Sequence, residues 1–69
     1  MSIEFELDSE FIELYKLLKL TQLCQSGGQA KFIIGEGEVL VNGNIETRKR
    51  CKIKKGDLVE FDDQSIQVN

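Results

Sequence analysis

Sixty-nine residues make room for one compact domain with a modest core, because a chain of this length buries only about 60% of its unfolded surface. The composition, 41% hydrophobic and 30% charged with no His, is that of a folded chain; it excludes a disordered tail, and it leaves hydrolytic, metal-dependent and proton-transfer chemistry without an obvious starting group. The net charge of −3 is unevenly spread, with +4 over residues 27–56, −3 over the first 26 residues and −4 over the last 13, so a basic region sits within an acidic whole.

In chain order, Ile3, Phe5 and Leu7 alternate with Glu4 and Glu6, the period of a half-buried strand. Asp8 or Ser9 can cap a helix over residues 9–19, whose buried stripe is Phe11, Leu14, Tyr15 and Leu18. Residues 20–25 lose that period and read as an irregular link, with Leu20 and Leu23 anchored in the core. Ser26 and Gln29 have capping-box spacing and start a second helix with Ala30, Ile33 and Ile34 inward and Gly35 and Gly37 near its end. Residues 39–41 are β-prone, Asn42-Gly43 is a hairpin turn, and Ile45 starts a returning strand. Lys55-Gly56-Asp57 turns the chain into Leu58, Val59 and Phe61, and Asp62-Asp63 precedes a last strand around Ile66 and Val68. The fold class is therefore α+β, two helices packed on a small, mostly antiparallel sheet, as one domain over residues 1–69.

Acidic Glu4, Glu6 and Asp8 stand where a signal peptide would be basic, and no apolar run reaches the roughly 20 residues of a membrane span, so the expected compartment is the cytoplasm. Cys24 and Cys51 lack the spacing of paired zinc ligands and read as small, buried or half-buried hydrophobes in a reducing environment.

The strongest chemical signal is the run Arg48-Lys49-Arg50-Cys51-Lys52-Ile53-Lys54-Lys55. If it is extended, Arg48, Arg50 and Lys52 share an open face while Cys51 and Ile53 point inward with Ile45; the plainer reading is a solvated edge that discourages strand pairing. On the second helix, Gly27 and Lys31 share a face with Gly28 beside them. Bare backbone N–H groups and the positive end of the helix would there let a phosphate approach, although paired glycines also serve a tight turn. Phe32 falls off the buried stripe and is the exposed aromatic, and the acidic cluster of Asp57, Glu60, Asp62 and Asp63 is a solvated rim that would repel RNA.

Residues 14–61 resemble the S-four-type RNA-binding domain. The resemblance rests on Tyr15-Lys16-Leu17-Leu18, Ser26-Gly27-Gly28-Gln29-Ala30, the Glu36-Gly37-Glu38-Val39-Leu40-Val41-Asn42-Gly43 passage and Lys54-Lys55-Gly56-Asp57-Leu58, in the family's order. The family often has Arg after the Ser, where this chain has Gly27. In that respect, and in the stretch over residues 46–53, it is more similar to small stand-alone bacterial members of the YbcJ type. The resemblance implies an αL-motif fold and non-catalytic binding of structured RNA of the ribosomal or transfer class, in a ribosome-associated setting with ribosomal or RNA-processing proteins as further partners. It implies no cofactor and no membrane. The expected RNA-binding residues are Ser26, Gly27, Gly28, Lys31, Arg48, Lys49, Arg50 and Lys52, the basic hairpin replacing the missing helix contact. A protein adaptor using the sheet edge or the hairpin at residues 39–41 is the alternative.

Overall fold

The computed structural model describes residues 2–69. Strand β1 (Ser2–Phe5) leads to a short strand β2 (Ile12–Glu13), then helix α1 (Leu14–Leu20) and helix α2 (Gly27–Gly35). Five more strands follow: β3 (Leu40–Val41), β4 (Asn44–Ile45), β5 (Lys52–Ile53), β6 (Leu58–Phe61) and β7 (Gln64–Val68). One sheet has the order β1-β7-β6-β3-β4, antiparallel throughout except where β1 runs parallel to β7, and β2 pairs with β5 in a separate ribbon. This is the α+β architecture that the hydrophobic pattern implies.

The core draws on both helices and the sheet. Leu14, Leu17 and Leu18 of α1 and Ala30, Ile33 and Ile34 of α2 are buried with Ile53, Val59, Ile66 and Val68. Helix α2 follows its sequence signals closely. The Ser26 hydroxyl accepts the Gln29 N–H at 3.1 Å, while the Gln29 side chain reaches back to the N–H of Gln25, one residue before the cap. At the other end Gly37 takes φ +78°, and the N–H groups of Gly37 and Glu38 bond to the carbonyls of Ile34 and Ile33, the paired bonds of a Schellman ending.

Helix α1 differs from expectation at its start. It begins at Leu14 rather than near Ser9, because Ile12 and Glu13 are claimed by Ile53 and Lys52 in the β2–β5 ribbon. The Ser9 hydroxyl donates to the Phe11 carbonyl instead of capping a helix, and Phe11, expected in the core, is 38% exposed. Leu20 lies at the last position of α1 and is 62% exposed, also against expectation; Leu23 and Cys24 supply the core contact of the link. Ile45 is exposed as well, since β4 is the sheet's edge and the chain leaves the sheet immediately after it.

Both tight hairpins use left-handed residue pairs that match the twist of their strands: Asn42-Gly43 at φ +52° and +85°, and Asp62-Asp63 at +52° and +63°. The two family motifs that looked separate in sequence are tied together. The Asn42 amide donates to Asp57 Oδ1 at 3.0 Å, the Asn42 side-chain oxygen accepts the Leu58 N–H, and Asp57 Oδ2 accepts the Lys54 N–H.

Candidate nucleic-acid interface

The basic run is held against the start of α1 by backbone hydrogen bonds. No side chain caps this helix; the carbonyls of Cys51 and Lys49 accept the N–H groups of Leu14 and Tyr15 at 2.9 and 3.1 Å. Orphan donors at a helix start need acceptors, and here a turn 34 to 37 residues downstream supplies them. Residues 48–51 therefore form a turn, closed by the Cys51 N–H on the Arg48 carbonyl, and the strict alternation expected along them begins only at β5. The basic strand pairs with β2, not with the Asn42-Gly43 hairpin, so the described residues form no basic hairpin.

This docking brings cations from three stretches to one aromatic ring. Lys31 Nζ of α2 lies 4.7 Å from the centroid of Tyr15, the Arg50 guanidinium of the turn 5.9 Å and Lys16 Nζ of α1 6.0 Å. A Cβ on Gly27 would sit 3.7 Å from the same ring, so the start of α2 borders the cluster directly. A fourth cation, Lys52 Nζ, lies 4.9 Å over Phe11. Each such contact is worth about 0.5–1 kcal/mol at an exposed ring and more as the ring is desolvated, so the contacts offset part of the repulsion among the cations. The arrangement is suited to holding a polyanion.

Carboxylates divide the remaining cations unequally. Glu13 lies 3.4 Å from Lys16 and 4.0 Å from Arg50, offsetting part of the cluster. Glu46 grips Arg48 with two oxygens, accepting from Nε at 2.9 Å, from an Nη at 3.0 Å and from the Arg48 backbone N–H at 2.9 Å. These bonds hold the Glu46 carboxyl down to about 2, and the same pairing pushes Arg48 upward. Arg48 is exposed, yet its charge is already matched. Burial pushes both thiols up, Cys51 further aided by the Glu46 charge, so neither is a ready nucleophile at neutral pH.

Of the residues singled out from sequence, Gly27, Lys31 and Arg50 meet at Tyr15. Lys52 lines a second groove with Arg48, Arg50 and Lys54, contiguous with the cluster through Arg50. Lys49 is exposed in the turn, contributing its carbonyl to α1. Ser26 spends its hydroxyl oxygen on the helix cap, and Gly28 is exposed beside it. Sequence reasoning missed Tyr15, assigned to the buried stripe but half-buried here, and Lys16. Beyond its place in the family motif the pair Tyr15-Lys16 carried no sign of a site; the buried face of α1 is Leu14, Leu17 and Leu18, with Tyr15 partly buried at its edge.

Comparison with known proteins agrees with the motifs. The S4 domain family matches residues 5–69. YbcJ of Escherichia coli (strain K12) is 54% identical over 57 residues, 83% of this chain and 81% of that protein. RlbA of Bacillus subtilis (strain 168), named for ribosome maturation, is 42% identical over 62 residues, 90% of this chain and 87% of that one. The solution structure of E. coli YbcJ, described as revealing an αL motif involved in RNA binding, superposes with a TM-score of 0.70 at 46% identity, covering 97% of this chain and 84% of the other. With the two helices, the mostly antiparallel sheet and the joined Asn42 and Asp57 motifs in place, this chain belongs to the S4 domain family.

Proposed function

We propose that this protein is a non-catalytic RNA-binding module that grips structured RNA, of the ribosomal class before the transfer class, through Lys31, Arg50, Lys49, Lys52 and the glycine-lined start of α2. The observation that carries the reading is the gathering of Lys16, Lys31 and Arg50 around Tyr15 in a member of the S4 family. The RNA-binding description of the YbcJ structure supports the ligand, and the ribosome-maturation name of RlbA supports the class of RNA. Contacts of this kind position a protein on phosphates and recognise shape rather than sequence. Ser26 and Gly28 enter through the helix start they form, and Arg48 enters weakly because Glu46 occupies its guanidinium.

The test is fluorescence anisotropy with a labelled ribosomal-RNA hairpin over a salt series. Four to six phosphate contacts give a slope of log affinity against log salt of roughly −3 to −5. Lys31→Ala and Arg50→Ala each weaken binding and flatten the slope by about 1, whereas Arg48→Ala does so less. Undiminished low-salt affinity in both of the first two variants would instead favour a protein adaptor, to which the exposed Ile45 on the edge strand β4 lends itself.

A further inference from the structure

Beside the Tyr15 cluster lies a groove of about 300 Å³ lined by Tyr15, Lys16, Lys19, Leu20 and Gly27. Its walls differ in chemistry. Tyr15 and the 62% exposed Leu20 offer apolar surface at a position where a solvent-facing leucine contributes nothing to the core. Lys16 and Lys19 bring ammonium groups, and α2 presents only backbone at Gly27. That glycine is helical, without a left-handed φ, so the backbone does not require it. A Cβ there would make ordinary contact with Tyr15 at 3.7 and 3.8 Å, so packing tolerates a side chain too. What the missing side chain does achieve is an open groove.

Building on the RNA-binding reading above, we infer that this groove receives one unpaired nucleoside of the bound RNA, its base against Tyr15 and Leu20 and its flanking phosphates near Lys16 and Lys19. The volume lies at the lower end for small-molecule sites, suited to a single nucleoside rather than a stacked run. Paired bases hide their faces within the helix; an extruded base exposes them for stacking on an aromatic or aliphatic side chain. The ammonium groups at the rim match the sugar-phosphate backbone on either side of such a base. The preferred ligand is thus a helix interrupted by a bulged or flipped-out nucleotide, with the continuous duplex held by charge alone.

Two RNA hairpins that differ only by a single-nucleotide bulge, titrated by anisotropy, test this. The wild-type protein should prefer the bulged hairpin by about tenfold, the scale of one base stacked on a side chain. Leu20→Ser leaves the charge unchanged and alters no core residue. With its fold verified by circular dichroism, this variant should reduce the preference to less than about twofold while keeping the salt slope. Equal wild-type affinity for the two hairpins, or a preference that survives Leu20→Ser, overturns the groove assignment while leaving the RNA-binding reading intact. Failure to bind either hairpin at low salt overturns both.

Discussion

At the scale of single residues, two carboxylates set which cations remain available. Glu46 satisfies the guanidinium and backbone N–H of Arg48, and its folded-state carboxyl sits at about 2 against an ordinary 4.5. A depressed carboxyl stabilises the fold fully above its unfolded value, and the contribution disappears as pH falls from about 4.5 through about 2. A carbon-detected NMR titration should place the Glu46 midpoint near 2, and Arg48→Ala should return it toward 4.5; an unchanged midpoint in that variant would show that the pair is not its cause. Glu13 acts differently, since it restrains Lys16 and Arg50 without enclosing either. Exposed pairs of this kind are worth up to about 1 kcal/mol, so Glu13→Gln should raise RNA affinity about two- to fivefold at low salt. Reduced affinity in the same anisotropy assay would mean that Glu13 positions the cations rather than competing for them.

At the scale of elements, the motifs divide into those that build the fold and those that gather cations. Asn42 adopts φ +52° in its turn and links two hairpin ends through Asp57 and the Leu58 N–H. Asn42→Ala loses both side-chain hydrogen bonds and places an alanine in the left-handed region, for an expected cost of about 1–3 kcal/mol. Chemical denaturation should show this as a lower midpoint, with the salt slope of RNA binding unchanged where the variant is folded. Helix α1 illustrates the converse, an element whose start is set from outside. Its capping acceptors are the carbonyls of Lys49 and Cys51, so the turn that carries Arg50 also completes the helix that carries Tyr15. The cation cluster and the start of α1 therefore form together.

At the scale of the whole molecule, a small core must hold this assembly in place. Leu17 is fully buried between the elements, and truncating such a leucine costs about 2–5 kcal/mol. A domain of this size has a stability of roughly 3–5 kcal/mol, so Leu17→Ala should be largely unfolded at 37 °C by circular dichroism. A cooperative melt within a few degrees of wild type would show that the core relaxes around the void. The charge is likewise a property of the assembled molecule. The net −3 would repel RNA if it were uniform, but the acidic groove that includes Glu38, Glu60 and Asp62 shares no residue with the two basic ones. Charges beyond about a Debye length, roughly 8 Å at physiological salt, are largely screened from one another.

The amino-acid order by itself determined the features whose causes are local. The Ser26 cap, the Gly37 ending of α2, the Asn42-Gly43 turn and the alternation through Ile66 and Val68 each depend on neighbours within a few residues, and each was legible as written. It also marked Lys31 and Arg50, which meet at Tyr15 in the structure, as members of the basic set. What only the tertiary structure decided was everything that rests on distant partners. Ile53 and Lys52 removed Ile12 and Glu13 from the first helix, leaving Phe11 outside it and exposed, and Tyr15 only partly buried against the core. Glu46 claimed Arg48, and the turn over residues 48–51 brought Arg50 to Tyr15. Periodicity reports which face of an element is apolar; it carries no information on which remote backbone carbonyl ends that element, and here that carbonyl decides where the cations meet.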